Sequence, residues 1–146
     1  MKTVLYYGDF DPNYSRNRVI MLGLERNGIR IVRSWRESHD AVIVGYSDSR
    51  WTVPVAWLHN LFSGKPLIWD AFYSLYDSWV FDRKLVSPHG LKAKYYWFLD
   101  WLSCKLADKI LLDTDKHIAY FVRAFHIKKA KCIRIFVGAD DTPFHD

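Results

Sequence analysis

The sequence predicts an α/β fold in which a parallel sheet of about six strands lies between layers of helices. Short apolar segments rich in β-forming residues alternate with longer segments of helical periodicity along all 146 residues. The joints between these segments are short, and a strand, a helix and a strand joined in this way form a βαβ unit with parallel strands. We therefore expect one three-layer α/β/α sandwich, doubly wound like one half of a Rossmann fold.

Size and composition restrict the class of protein. A chain of 146 residues suffices for one domain with a buried core, and its content of 50% apolar and 25% charged residues is that of a globular domain. Cys104 and Cys132 have no metal-ligand spacing, so neither a zinc site nor a disulfide framework is predicted, and a reducing compartment is favoured. The net charge of +5 favours an anionic partner such as a phospholipid, a nucleotide or a nucleic acid.

A βαβ unit is predicted at the amino-terminal end of the chain. Thr3–Tyr7 is apolar and β-rich, and Ser15 is placed to begin a helix that ends at an Asn-Gly turn. The alternating segment Ile29–Val32 follows as the second strand. We expect Arg16 and Arg18, just inside the helix, to be solvated.

The loop after the first strand is where doubly wound folds hold phosphate groups on glycine-rich backbone. Here the loop contains one glycine, Gly8, followed by the carboxylates of Asp9 and Asp11. Because carboxylates repel phosphate, we do not expect this loop to bind phosphate directly. Gly8 and Asp9 stay candidates for substrate contact through their position at the carboxyl end of a strand.

Two further strands are predicted in the middle of the chain. The first covers residues 40–45 and precedes a helix from Thr52 to about Phe62. The second starts at Leu67, and its apolar run turns polar at Asp70, which we interpret as the end of this fourth strand.

Polar and aromatic side chains follow the fourth strand. Ligands in open α/β sheets bind outside the carboxyl ends of the strands. We therefore expect the site near Asp70, Tyr73, Ser74, Tyr76 and Asp77. Aromatic side chains suit a sugar or a lipid better than a phosphate. The alternative is that Asp70 only caps the following turn.

A long helix is predicted from Leu91 to about Ala107, with two apolar faces. One face is expected to enter the core and contains Leu91, Tyr95, Phe98, Leu99, Leu102 and Leu106. The other contains Trp97 and Trp101, flanked by Lys94 and Lys105. This second face is typical of a surface that meets anionic lipid headgroups, or it packs on a neighbouring helix or a second domain.

The last strands also end in polar residues. Lys109–Leu112 is predicted as a strand that is followed by Asp113, and Thr114 or Asp115 is placed to cap a helix that runs to about Phe125. We expect His117, in the first turn of that helix, to be solvated. A final strand, residues 132–137, leads to Gly138 and Asp140 at the same edge of the sheet.

Four segments together resemble the amino-terminal half of a family 4 glycosyltransferase, which has the GT-B architecture. They are Asp70–Asp77, Asp82-Arg83, Ala107–Thr114 and Val137–Asp140. The resemblance covers residues 1–146 in order, as a single Rossmann-like domain. It implies that the donor-binding carboxy-terminal half, with its paired-glutamate motif, is absent from this chain, which would then be inactive alone or completed by a partner in trans.

The resemblance also implies an activity. Such enzymes transfer a sugar from a nucleotide-sugar donor to an acceptor, here a glycan or a lipid-linked molecule, with retention at the anomeric carbon. Asp70 is the implied catalytic residue, because a carboxylate stabilises positive charge at that carbon. Many members place a histidine after the fourth strand, where this sequence has Trp69-Asp70. No metal and no cofactor are expected beyond the nucleotide-sugar substrate.

The residues implied to contact substrates come from four loops. The turn at residues 138–140 is implied to lie at the cleft between the two domains of the enzyme. The implied contact residues are Gly8, Asp9, Tyr73, Ser74, Tyr76, Asp77, Asp113, Thr114, Gly138 and Asp140.

Two other classes of function compete with this interpretation. A non-catalytic flavodoxin-like, receiver-like or anion-binding module has a similar number of strands and helices. Asp9 and Asp11 supply the acidic pair of a receiver domain, but its later Asp and Lys are not found where the third and fifth strands end, at Gly45 and Asp113. Nucleic-acid binding is suggested by charge and aromatic content, but no recognised motif supports it, and nucleic acid is not an expected partner.

The sequence also bears on location. The amino terminus is too short and too aromatic for a signal peptide, and no apolar run approaches the roughly 20 residues of a membrane span. We expect a cytoplasmic protein, peripheral on the inner face of the membrane where its tryptophan and lysine side chains meet lipid.

Overall fold

The computed structural model describes residues 1–138, which form a six-stranded parallel sheet with helices on both faces. The strands are β1 (Thr3–Tyr7), β2 (Arg30–Val32), β3 (Ala41–Val44), β4 (Leu67–Phe72), β5 (Lys109–Leu112) and β6 (Cys132–Arg134). The helices are α1 (Ser15–Arg26), α2 (Thr52–Asn60), α3 (Leu75–Asp77), α4 (Leu91–Leu106) and α5 (Asp115–Phe125). A π-helical turn, Ser78–Asp82, follows α3, and a 3₁₀ turn, Lys129–Lys131, precedes β6.

The strand order confirms the predicted α/β class. The order is β2-β1-β3-β4-β5-β6, and all five neighbouring pairs are parallel. The first five strands follow the flavodoxin-like order of a doubly wound sheet, whose direction of winding reverses between β1 and β3. The carboxyl ends of all six strands therefore lie along one edge, where the loops that follow β1, β3, β4 and β5 meet.

Each face of the sheet has its own apolar cluster. On one face α2, α4 and α5 cover the sheet, and Trp69, Phe121 and Phe125 are the largest side chains of that cluster. On the other face α1 covers Val4, Tyr6 and Ile43. Alternate strand residues point to opposite faces, which is why neighbouring side chains of β1 enter different clusters.

The predicted core face of α4 is wrong at Leu91, Tyr95 and Phe98 and is confirmed at Leu99. Leu91, Tyr95 and Phe98 are exposed, whereas the buried residues of α4 are Ala93, Leu99, Asp100, Ser103 and Cys104. Most of these are small, because α4 lies close against the sheet. Hydrophobic spacing alone favoured the larger side chains, which point away from the core.

Trp97 and Trp101 lie between solvent and core. Their rings stack with centroids 6.2 Å apart, and Trp97 also lies 6.1 Å from the ring of Phe125 in α5. Both rings pack against the main apolar cluster. This is the packing of the alternative interpretation, in which the tryptophans contact a neighbouring helix.

Two predicted strand ends differ from the structure. β4 continues to Phe72, so Asp70 lies within the strand instead of in the loop after it. β6 ends at Arg134, three residues before the predicted end. The predicted contact of Asp140 lies outside the described residues.

Candidate functional site

The backbone is irregular where the chain leaves β4. The register between β4 and β5 shifts between Asp70 and Phe72, and Phe72 has a left-handed φ of 61°. The short helix α3 and the π-helical turn follow directly. Bulges, left-handed non-glycine residues and π-turns are each strained or uncommon, and each is frequent next to functional sites.

A cavity of about 430 Å³ opens at the carboxyl ends of β4 and β5. Its lining combines three carboxylates, one histidine, one arginine and several hydroxyl groups. The lining residues are Phe72, Tyr73, Ser74, Asp77, Ser78, Asp82, Arg83, Asp113 and His117. The cavity therefore offers mainly hydrogen-bonding groups to a ligand.

A histidine and a carboxylate are paired in the wall of this cavity. Asp113 follows β5, and its Oδ1 lies 2.5 Å from Nδ1 of His117, four residues further along the chain. The backbone N–H of His117 donates to Oγ1 of Thr114 at 3.2 Å, which caps α5. The cap and the carboxylate together fix the imidazole, and its second nitrogen, Nε2, is left for a ligand.

Burial and two charged neighbours shift the pKa of Asp77, a third residue of the cavity wall. Partial burial raises the pKa of the Asp77 carboxyl above its ordinary value, His117 opposes this rise, and Asp82 adds to it. Because burial disfavours the charged form of Asp77, a positive or hydrogen-bonding group of a ligand would stabilise that form.

Asp70 is completely buried beside this cavity and is paired with Arg16 of α1. Nε of Arg16 lies 2.8 Å from Oδ1 and 2.9 Å from Oδ2, and Nη2 lies 2.7 Å from Oδ1. Burial raises the pKa of the Asp70 carboxyl, and the Arg16 guanidinium opposes that shift. Arg16 also lies over the Phe72 ring, 4.6 Å from its centroid, and donates to the carbonyl oxygen of Ile135. The expectation of a solvated Arg16 is wrong.

A second buried ion pair holds the loops after β3 and β4. Arg50 contacts Asp100 of α4, and it also donates to the carbonyl oxygens of Ser47 and Tyr73 at 2.9 Å and 3.0 Å. Oδ2 of Asp100 accepts from the Ser74 hydroxyl and from the backbone N–H of Tyr76, at 2.8 Å and 3.0 Å. Every polar atom of this pair is thus used to fix one wall of the cavity.

Asn17 connects the loops after β1 and β3. Its Oδ1 accepts from the Tyr6 hydroxyl and from the backbone N–H of Tyr46, and its Nδ2 donates to the carbonyl oxygens of Asp11 and Tyr46. Next to it lies a smaller cavity of about 240 Å³. Its lining residues include Asp9, Asp11 and Asp48, so this cavity has a strongly acidic wall.

The structure brings four of the predicted site residues together and separates the others. Tyr73, Ser74, Asp77 and Asp113 line the large cavity. The others lie in different surroundings. Asp9 lines the smaller cavity beside Gly8, and Thr114 caps α5. The ring of Tyr76 packs against Phe81, Gly138 lies against Val19, and Asp70 is buried.

Sequence reasoning missed His117 and the two buried arginines. The spacing of Asp113 and His117 gave a usable signal, since residues four apart on a helical turn face one another. Arg16 and Arg50 pair with carboxylates 54 and 50 residues away, so no local pattern indicates them.

Residues 1–138 contain no group of three or more His, Cys, Asp or Glu side chains that could hold a metal ion. No helix in this described part is both long enough and apolar enough to cross a bilayer.

Comparison with known proteins gives a structural likeness and no sequence relative. No family profile matches the chain, and no curated protein matches it. Two solved structures of HepE from Anabaena, one in complex with UDP and one with UDP-glucose, are similar in fold, with TM-scores of 0.53 and 0.55. The sequence identity is 12% in both comparisons, over 96% of this chain and 45% of the HepE chain.

The fold is GT-B-like. At 12% identity the likeness concerns the fold alone, and the chain spans less than half the length of HepE. Its six parallel strands and flanking helices are those of a Rossmann-like domain. The architecture expected from the resemblance is therefore supported, while membership in family 4 stays a prediction.

Proposed function

We propose that this chain is the acceptor-side, amino-terminal domain of a retaining glycosyltransferase that uses a nucleotide-sugar donor. The observation that supports it best is the likeness in fold to HepE, crystallised with UDP-glucose, over 96% of this chain. The large cavity lies at the carboxyl edge of the sheet, where open α/β folds bind their ligands. A carboxy-terminal half, on the same protein or in trans, would hold the nucleotide.

The chemistry of the large cavity favours sugar hydroxyl groups over phosphate. Asp77, Asp82 and Asp113 accept hydrogen bonds and repel anions, and Arg83 is the one cationic side chain beside His117 in the lining. Tyr73 supplies an aromatic surface of the kind that packs on a sugar ring. This division leaves the diphosphate of the donor to the other half of the enzyme.

Two residues have separate roles in this proposal. His117 accepts a hydrogen bond from a substrate hydroxyl through Nε2, because Asp113 holds Nδ1. Asp70 acts through Arg16, which it holds against the Phe72 ring at the rim of the cavity. Asp70 is thus proposed as a positioning residue. An Asp70→Asn variant of the complete enzyme with unchanged turnover would contradict any role in catalysis.

Saturation-transfer NMR on the chain with UDP-glucose tests the proposal. We expect stronger saturation of the glucose protons than of the uridine protons, and loss of the glucose signals in His117→Gln. Glu37→Gln is the matched control, because Glu37 is an exposed residue before β3, at the opposite edge of the sheet. Stronger uridine signals that persist in His117→Gln, or no saturation of either part, would overturn the assignment of the cavity.

The strand order favours one alternative, a non-catalytic flavodoxin-like or receiver-like module. That fold shares the order of β1 to β5, and Asp9, Asp11 and Asp48 line the cavity at the point where the winding reverses. Absence of any response of the chain to UDP-glucose would favour this alternative.

A further inference from the structure

Two neighbouring helices carry exposed apolar stripes that the fold does not use. On α2 and the turn after it, Trp51, Val55, Leu58 and Phe62 recur at spacings of four, three and four residues, and Phe62 is 95% exposed. Spacings of three and four place side chains on one face of a helix. This face is therefore a continuous apolar stripe that points away from the sheet.

The stripe on α4 has the same spacing. Leu91, Tyr95 and Phe98 are exposed, and Leu91 is 84% exposed. These are the residues whose spacing first indicated a core face. Because the small residues of α4 face the sheet instead, the stripe is left on the outside.

The two stripes belong to one surface. α2 and α4 pack side by side on the same face of the sheet, and Nε1 of Trp51 donates to the Tyr95 hydroxyl at 2.7 Å. We call this the α2/α4 surface, formed by Trp51, Val55, Leu58, Phe62, Leu91, Tyr95 and Phe98. Contiguous apolar surfaces of this kind mark sites of protein or membrane interaction.

The exposed charged residues of α2 and α4 themselves are all lysines. No acidic residue occurs between Asp48 and Asp70, which includes all of α2. In α4 the one acidic residue is Asp100, which is buried against Arg50, while Lys92, Lys94 and Lys105 are exposed. The two helices thus present aromatic and aliphatic side chains with ammonium groups and no exposed carboxylate of their own, and the exposed carboxylates of Asp48 and Asp108 lie beyond their ends.

We propose that the α2/α4 surface binds the anionic headgroup region of a lipid bilayer. Aromatic side chains partition to the boundary between headgroups and acyl chains, and lysines beside them attract anionic lipids. A second copy of the chain fits less well, because a symmetric contact would bring the lysines of both copies together. The surface differs from the one predicted from sequence, since Trp97 and Trp101 pack against the core.

Sedimentation with lipid vesicles tests this proposal. We expect the chain to sediment with vesicles that contain phosphatidylglycerol, to bind pure phosphatidylcholine vesicles at least tenfold more weakly, and to be released by added salt. Leu58→Ser with Phe62→Ser should reduce binding about tenfold, because two side chains that enter the bilayer are lost.

Charge reversal provides a matched pair of variants. Lys92→Glu with Lys94→Glu should reduce binding more than tenfold, because each lysine near an anionic surface adds to the attraction. Lys128→Glu with Lys129→Glu changes the net charge equally, lies beyond α5, and should bind nearly as the unaltered chain. All substituted side chains are exposed, so thermal unfolding curves should stay the same.

Three results would overturn the proposal. The first is equal binding of the two charge-reversed variants, which would indicate attraction by net charge alone. The second is unchanged binding of the Leu58 and Phe62 variant. The third is absence of vesicle binding, and a concentration-dependent dimer in sedimentation equilibrium would then assign the surface to a second copy. None of these results depends on sugar binding, so this proposal and the proposed function fail separately.

Discussion

Arg50 and Asp100 are 50 positions apart in the sequence, and their side chains meet with Nε 3.1 Å from Oδ1 while only 1% and 0% exposed. The pair joins the segment before α2 to the middle of α4. Through its bonds to Ser47, Tyr73 and Ser74 it also fixes the loops after β3 and β4. One ion pair therefore determines the shape of one wall of the large cavity.

Removing one partner of this pair should destabilise the fold strongly. Arg50→Met leaves the Asp100 carboxyl buried without its cation, and we expect a loss of about 3–5 kcal/mol in the free energy of unfolding. Urea denaturation of the variant and of the unaltered chain measures this loss. Arg30→Met, which removes an exposed partner of Glu37, is the control and should cost less than about 1 kcal/mol. Similar losses for both variants would contradict the structural role of the pair.

The cap of α5 should contribute to the stability of the fold and also fix the position of His117. Thr114→Ala removes the oxygen that accepts from the His117 N–H, and we expect a loss of about 1 kcal/mol. Thr114→Ser keeps that acceptor and should lose only a few tenths. Thermal unfolding measures both, and the imidazole resonances of His117 should shift in the Ala variant only. Equal stability of the Ser and Ala variants would show that the cap is not formed.

The carboxyl of Asp77 should titrate above its ordinary pKa of 3.8, because partial burial disfavours its charged form. His117→Gln should raise the pKa of Asp77 further, and Asp82→Asn should lower it, since these neighbours act in opposite directions. Carboxyl ¹³C NMR across acidic pH measures all three values. If neither substitution changed the pKa of Asp77, then His117 and Asp82 would not interact electrostatically with its carboxyl group.

The same shift gives a pH dependence of stability. A carboxyl whose pKa rises on folding holds its proton more tightly in the native state, so the native protein binds more protons than the unfolded chain between the two pKa values. The contribution of Asp77 to stability therefore falls as pH rises from 3.8 through its raised native pKa. Asp77→Asn should remove this decline, as measured by urea denaturation at several pH values. An identical decline in the variant would assign it to other groups.

The end of α5 should be improved by glycine. His126 caps this helix in the left-handed region, with φ 51° and ψ 50°. We expect His126→Gly to stabilise the fold by about 1 kcal/mol, because glycine has no Cβ to oppose this conformation. His126→Ala keeps the Cβ and is the control in thermal unfolding. A glycine variant no more stable than the alanine variant would contradict the assigned conformation.

The elements were predictable from sequence because they depend on local pattern. All six strands and the four longer helices were expected close to their observed positions, since periodicity and turn residues such as the Asn-Gly after α1 act over a few residues. The end of β4 was missed because its polar residue, Asp70, is paired inside the fold. The end of a hydrophobic run marks the end of a strand only when the next polar residue faces solvent. Here Arg16 pairs with the Asp70 carboxylate, so the strand continues beyond it.

The site was predictable only in part for the same reason. Tyr73, Ser74, Asp77 and Asp113 follow buried strands, and the rule for the carboxyl edge of a sheet located them. Tyr73 and Ser74 are held by Arg50 and Asp100, which are 50 residues apart in the sequence and meet only in the folded chain. The outer stripe of α4 shows the opposite error, because exposed residues were predicted to be buried. Their hydrophobic spacing identified one face of the helix but not whether that face is covered by the core.

The side chain of Asn17 and the carboxylate of Asp100 have a consequence for hydrogen exchange. They accept from the amides of Tyr46, in the loop after β3, and Tyr76, in the short helix α3. Both acceptors are buried, so these two amides exchange with deuterium only when the surrounding loops open. We expect these two amides to exchange as slowly as those of a sheet, so that the backbone around them is already ordered before a ligand arrives.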